Sequence, residues 1–290
     1  MFDTSNMIEA LVQSDACRYE LLYHYCTADS SAYLFNHGAD IGARSVLKSP
    51  NDKKEYYTGI EMFCDYLADK RIVPNEIVGI LSEKLHSNID DGGKGRKCVI
   101  PFAFCLSHEF NSPYHWSEFV KEVGGYCVAF SREKLAAACQ CVVQKRIASL
   151  DLARCLYVGY DDETIAALFD AVCQDRSRDL ATLVRTRTQD ACAGVRIMQQ
   201  VCMVAMRIKR AKYYPEKEWR ITMVSRNSEA ASEKGYLATG IKDVCCHNDI
   251  MSMMRGVLSS PTGNQLDLQS KLFRMIGTRN RHNGEIAVVR

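Results

Sequence analysis

Two carboxylates and a guanidinium recur at every second position in Tyr214-Pro215-Glu216-Lys217-Glu218-Trp219-Arg220-Ile221. Read as a strand, alternate side chains face opposite ways. Glu216, Glu218 and Arg220 then share one face, while Lys217, Trp219 and Ile221 share the other, where Trp219 and Ile221 anchor the strand in a core. Carboxylates about 7 Å apart along a strand, beside one arginine, form a site for polarised chemistry. The pattern equally fits a solvated Glu–Arg face on an edge strand. Far upstream, His24 lies within Tyr23-His24-Tyr25. A histidine between aromatics is ordinarily a core residue with one backbone partner. Beside a distant Glu-x-Glu strand it has a second meaning. Cleavage of a nicotinamide–ribose bond passes through a cation-like sugar. It needs a donor to hold the adenosine-side ribose, aromatics to stack the nicotinamide, and a carboxylate to hold the ribose 2′-hydroxyl and balance the developing positive charge. His24, Tyr25 and Glu218 are of those types, and Glu216 adds a carboxylate able to orient or deprotonate an acceptor.

The elements that must carry these residues alternate along the chain. A helix is expected at 5–20, then a strand at Tyr19 to Cys26, a short helix from Ser30 to Asn36 and a strand at Ile41 to Ser45. Ser49-Pro50-Asn51-Asp52 reads as a turn. Residues 53–87 read as helix broken at Pro74, and Asp90 to Arg96 as a flexible loop without phosphate-loop spacing. Val99 to Ser107 is a strand, Pro113 to Glu122 a helix carrying Trp116, and Tyr126 to Phe130 a buried strand. Ser131 caps an Ala-rich helix through about Ala148. Arg154 to Tyr160 is the next strand. Residues 162–210 read as an insert of two helices with breaks near 174–179 and 189–194. The basic run Arg207 to Lys212 reads as a solvated helix end placed for the helix dipole, or as an attractor of phosphate. The tail alternates strand (236–241), helix (248–255), strand (256–260), helix (264–277) and strand (285–289). Short strands without a regular βαβ rhythm imply α+β, organised as an N-terminal helix at 1–20 and a single domain at 21–290 with a helical insert at about 162–210.

At 290 residues, with 47% hydrophobic and 25% charged content, the composition is that of an ordinary globular protein. A net charge of +2 selects no partner class. No apolar run is long enough to span a bilayer, and the N-terminal residues lack a signal-peptide pattern. The 14 cysteines contain no CxxC pair. Their closest spacings, Cys139-x-Cys141 and Cys245-Cys246-His247, are not those of a zinc site. They read as reduced core thiols of a cytoplasmic protein.

The order of several segments resembles a bacterial domain-of-unknown-function family, number 2971. These are Leu22 to Thr27; Ile41-Gly42-Ala43-Arg44-Ser45 with Asn51-Asp52; Trp116 followed by Gly124 to Phe130; Tyr214 to Arg220; and Ile250 to Ser260. The resemblance spans roughly residues 20–290, with Glu-Lys-Glu-Trp-Arg its most specific motif. More remotely, the opening His strand and closing Glu strand are similar to those of ADP-ribosyltransferases. That likeness implies a split β-sheet core clamping NAD. It implies His24, Tyr25 and Trp116 at the NAD site, Arg44 on its pyrophosphate and Ser45 supporting Glu218. Glu218 would be catalytic and Glu216 an acceptor-side base. It further implies a bacterial effector or antiviral defence toxin, with a protein or nucleic-acid acceptor and a regulatory partner protein. Where the family has a tyrosine three residues after the tryptophan, this chain has Phe119. That departure favours the alternative of a non-catalytic nucleotide- or partner-binding module. A metal-dependent nuclease using Glu216 and Glu218 is a third reading.

Overall fold

In the computed structural model, β3 (Ile100–Ser107) is the strand on which the others depend. The structure describes residues 20–30, 41–46, 50–90, 100–144, 150–187, 190–225, 236–239, 241, 253–261 and 287–289. The sequence of β3 alternates cleanly. Phe102, Phe104 and Leu106 face one core, while Ala103, Cys105 and Ser107 face the other way. One edge of β3 pairs along its whole length with β8 (Glu218–Ser225), from Ile100↔Ser225 to Ser107↔Glu218. β5 (Leu150–Arg154) then pairs with the far edge of β8.

The other edge of β3 is shared. β1 (Leu21–Thr27) meets it at the single register pair Tyr23↔Ser107. β2 (Gly42–Ser45) takes its place at Arg44↔Ala103 and Ser45↔Phe102. Beyond Tyr23, β1 belongs to β4 (Gly125–Ser131), paired from Leu21↔Ser131 to Thr27↔Gly125. The sheet is therefore split between β1 and β3, and it curls as an antiparallel half-barrel. β9 (Tyr236–Ala238) flanks β2, and β10 (Met254–Ser259) flanks β4. β11 (Ala287–Val289) adds a parallel edge to β10. Gly125 lets β4 close on β1, since a Cβ there would stand 2.1 Å from the Cys26 carbonyl oxygen.

Each face of the sheet has its own core. On one, Trp219, Ile221 and Met223 join Phe102, Phe104, Leu106 and α3 (Arg132–Gln144). Burying each of these large side chains contributes about 1.5–3 kcal/mol. Against the other pack α1 (Pro50–Asp69), α2 (Asn75–Asp90), α4 (Asp162–Asp175), α5 (Ser177–Arg185) and α6 (Ala191–Ala205). α1 lies so close to α6 that a Cβ on Gly59 would fall 2.6 Å from the Ala205 Cα. A two-stranded parallel ladder, β6 (Leu156–Tyr157) with β7 (Ile208–Lys209), closes the ends of the insert.

Several expectations need correction. Pro50 does not make a turn but opens α1, where its missing N–H costs nothing. The expected strand at 154–160 is two strands in different sheets, separated at Cys155. The insert holds three helices rather than two, because the chain breaks both at Arg176 and after Arg185. Residues 254–255 are strand, not helix. The segment expected as helix at 113–122 is a short α-turn, Pro113–His115, running into a π-turn, Trp116–Val120, and a 3-10 turn, Lys121–Val123. The expected helices at 5–20 and 264–277, and most of the short helix and loop expected at 30–36 and 90–96, lie outside the described residues. Seven of the ten described cysteines are buried, and burial pushes the thiols of Cys26, Cys127 and Cys202 up to about 12. No helix among the described residues is long and apolar enough to cross a membrane.

Candidate functional site

Glu218 begins β8, and Arg220, two residues on, lies on the same face. The two pair fork to fork: Arg220 Nε donates to Glu218 Oε1 at 2.8 Å and its Nη2 to Oε2 at 3.1 Å. Arg220 Nη1 donates to the Met206 carbonyl at 2.6 Å, just past α6. Lys209, from β7, donates Nζ to Glu218 Oε2 at 2.5 Å and also to Glu216 Oε2. All four side chains are buried, Lys209 and Arg220 to 2% exposure. Two anions meet two cations where the insert joins the sheet, so the cluster balances its charge, as burial demands. Burial alone would raise the Glu218 carboxyl. Arg220 and Lys209 outweigh it and hold Glu218 well below the usual carboxylate range, while Glu218 holds Arg220 well above its own.

The Glu-Lys-Glu stretch is not a continuous strand. Ala211–Glu216 is a 3-10 turn containing Pro215, and Lys217 takes a left-handed backbone at φ 44°. Glu216 reaches the same cation as Glu218 through this turn, not through strand alternation. The turn is bolted down: the Glu216 carbonyl accepts from Ser107 Oγ at 2.8 Å and from His115 Nε2 at 2.9 Å. His108 N donates to the Lys217 carbonyl, and Tyr157 Oη accepts from Glu218 N. The basic run before it is no solvated helix end. Lys209 is a strand residue beneath the carboxylates, and Arg207 is buried with Nη1 on Asp151 at 3.2 Å.

His24 stands at the split. Its Nδ1 donates across the gap to the Cys105 carbonyl at 2.8 Å, and its ring stacks on Phe104 with centroids 4.4 Å apart. Phe104 points away from Glu218, so His24 and Glu218 approach β3 from opposite faces, with Cys105 between them. The Cys105 thiol donates to Glu218. Because a carbonyl only accepts, Nδ1 carries the proton in neutral His24 and Nε2 is left with its lone pair. Burial lowers the His24 pKa, against the smaller opposing effect of the Cys105 bond, which favours that neutral form. His24 would thus accept from a ribose hydroxyl rather than donate to it.

Tyr25 and Trp116 are core residues. The Tyr25 ring stacks on His115 at 4.7 Å and meets Trp116 edge-on at 5.0 Å. Its hydroxyl donates to the Glu109 carbonyl at 2.7 Å and accepts from Ser112 N at 3.0 Å. Together they hold His115, and through it the Glu216 turn, in place of the expected direct stacking on nicotinamide. Arg44 is exposed on the Glu218 face of the sheet, opposite Ala103 and so about 13 Å along the strands from Ser107. Ser45, opposite Phe102, faces the other way. Support of Glu218 by Ser45 is therefore corrected; Lys209, Arg220 and Cys105 fill that place. Among the described residues no three His, Cys, Asp or Glu side chains converge as a metal-binding group.

Lys209, His115, Tyr157 and Cys105 are the members that the sequence did not reveal. One signal was present: two neighbouring carboxylates on a buried strand need cations, and Arg207 and Lys209 are the basic residues just upstream in an apolar setting. Compared with curated proteins and with solved structures, the chain matches none. The four residues of the charge cluster and His115 lie between 115 and 221, whereas His24, Tyr25, Arg44 and Ser45 precede that stretch. Residues 115–221 match the model of a protein family of unknown function, DUF2971.

Proposed function

We propose that this chain cleaves the nicotinamide–ribose bond of NAD, as an ADP-ribosyltransferase or NAD glycohydrolase. The observation that carries the reading is an ionised, buried carboxylate, Glu218, at the head of β8, level with the pair Tyr23↔Ser107 at which the sheet splits. A dinucleotide threaded through the split would meet His24 Nε2 with a ribose hydroxyl and Glu218 with the other ribose. Arg44 is exposed along the same face for the pyrophosphate. In the reaction the bond from ribose C1′ to the nicotinamide nitrogen breaks, and its electron pair leaves with neutral nicotinamide. Glu218 accepts the 2′-hydroxyl hydrogen bond and offsets the positive charge on the sugar. An acceptor lone pair forms the new bond at C1′, and the acceptor's proton passes to Glu216. Arg220 and Lys209 keep Glu218 ionised, the form its role needs, and Lys209 also pairs with Glu216. An effector or defence-toxin setting follows only from the family likeness and stands with the NAD reading.

The test is nicotinamide release from NAD by the purified chain and by a Glu218→Gln variant with the same far- and near-ultraviolet circular dichroism. Release by the first alone supports the reading. Neither release nor NAD binding by calorimetry sinks it.

A second reading, a binding module without chemistry, is favoured by the charge balance of the cluster: Glu218 already spends both oxygens on Arg220 and Lys209. NAD binding without release, unchanged in Glu218→Gln, would select it.

A further inference from the structure

Beside the Glu216–Glu218 turn stands a column of flat groups that the charge cluster does not use. Tyr214 stacks on Tyr160 with centroids 4.2 Å apart and planes 13° from parallel. Lys217 Nζ lies 3.0 Å from the centroid of the Tyr214 ring. Both neighbours cannot occupy one face at those distances, so the order is Lys217, Tyr214, Tyr160, solvent. Tyr160 is 62% exposed, an unusual position for a ring of that size.

Its exposure is built, not a loose end. Tyr160 sits in a tight turn whose Gly159 takes φ 84°. Tyr160 N donates to the Tyr157 carbonyl, and Gly159 N donates to Asp162 Oδ1 at 2.7 Å. Asp161 fixes the turn from behind, accepting from Arg154 Nη2 at 2.9 Å and Tyr157 N at 2.8 Å. On the other flank Lys212 Nζ lies 4.6 Å from the Tyr213 ring and is exposed. Past His115, Phe119 is 46% exposed.

We infer that this rim binds a single-stranded nucleic acid, with one base stacked on the outer face of Tyr160 and phosphates on Lys217 and Lys212. Rigid exposed rings supply sequence-tolerant stacking, and lysines between them track the backbone. An extended acidic peptide would use the lysines but leave the flat outer face of Tyr160 without a partner. The acidic residues Asp162 and Glu163, exposed at the start of α4, keep the backbone to the lysine side. As acceptor of the proposed transfer, the strand rests on the NAD reading; the binding itself does not.

The experiment is fluorescence anisotropy of labelled oligo(dT) and oligo(U) 12-mers with the full chain at several salt concentrations. Removal of one base stack by Tyr160→Ala is expected to weaken binding by about 5- to 150-fold. Lys212→Gln with Lys217→Gln is expected to flatten the log–log salt slope by about 1.4. Tyr160 is exposed, so its loss leaves the fold intact, which the thermal transition checks. Binding that Tyr160→Ala leaves unchanged overturns the inference, as does binding of poly-glutamate but not of either oligonucleotide. NAD turnover with no oligonucleotide binding overturns it while keeping the NAD reading. Tyr160-dependent binding without NAD turnover keeps the inference and rejects NAD chemistry.

Discussion

Replacing Glu218 by Gln probes stability before it probes chemistry. The wild-type cluster holds two carboxylates against Lys209 and Arg220. Glutamine removes one negative charge and points an amide N–H₂ at a cation, leaving a buried positive charge uncompensated. Breaking a buried pair in this way costs about 3–5 kcal/mol. For a chain of 290 residues that lowers Tm by about 5–8 °C. Adding Arg220→Gln restores neutrality, because Lys209 still contacts Glu216 directly. The double variant should then be more stable than the summed single losses by about 2 kcal/mol, the coupling expected of groups in one network. Acid should erase the difference. In the unfolded chain Glu218 takes up its proton near 4.5, while in the native chain it stays ionised to lower pH. The unfolded state therefore binds more protons below pH 4.5, so the wild type loses this stabilisation as pH falls. Glu218→Gln carries no such dependence at this site, and the two stability curves converge in acid. Urea unfolding of the four chains at pH 7 and of the first two at pH 3.5 measures each quantity. A single variant within about 1 kcal/mol of wild type at pH 7, or strict additivity in the cycle, would refute the idea that the cluster is a buried, mutually compensated unit.

Other outcomes follow from the same geometry. Gly125→Ala forces a Cβ against the Cys26 carbonyl and the Thr27 Cα, both backbone of β1. It should cost at least about 3 kcal/mol, visible as a lower urea midpoint or loss of soluble protein. His24 should titrate below 6.5 with the proton on Nδ1, which long-range nitrogen–proton NMR of the imidazole reads directly. Because the unfolded chain would then bind more protons below 6.5, His24 makes stability fall with pH in that range. Phe119→Tyr adds a hydroxyl to a half-exposed ring and should change stability by less than about 0.5 kcal/mol. If the missing hydroxyl limits the proposed reaction, nicotinamide release should rise in that variant.

What the chain shows in advance depends on how local the cause is. The alternation of Phe102, Phe104 and Leu106 and of Trp219 and Ile221 is a property of consecutive residues, and it gives β3 and β8 with their core face. Pro74 breaks the helical stretch because the ring acts on its own neighbours. Leu150–Arg154 fails for the opposite reason. Its five residues hold little β-branched or aromatic character, and what makes it a strand is the exposed edge of β8, supplied from 64 positions or more downstream. The same distinction runs through the candidate site. That Glu216 and Glu218 form a pair is written in their spacing. The device that brings them together is not strand alternation but a left-handed Lys217, and neither glycine nor asparagine marks it. Their cation comes from a two-residue strand that exists only because β6 lies beside it. Lys209 therefore looks like one charge in a basic run until the ladder buries it, and a pattern read as surface becomes the interior of the site.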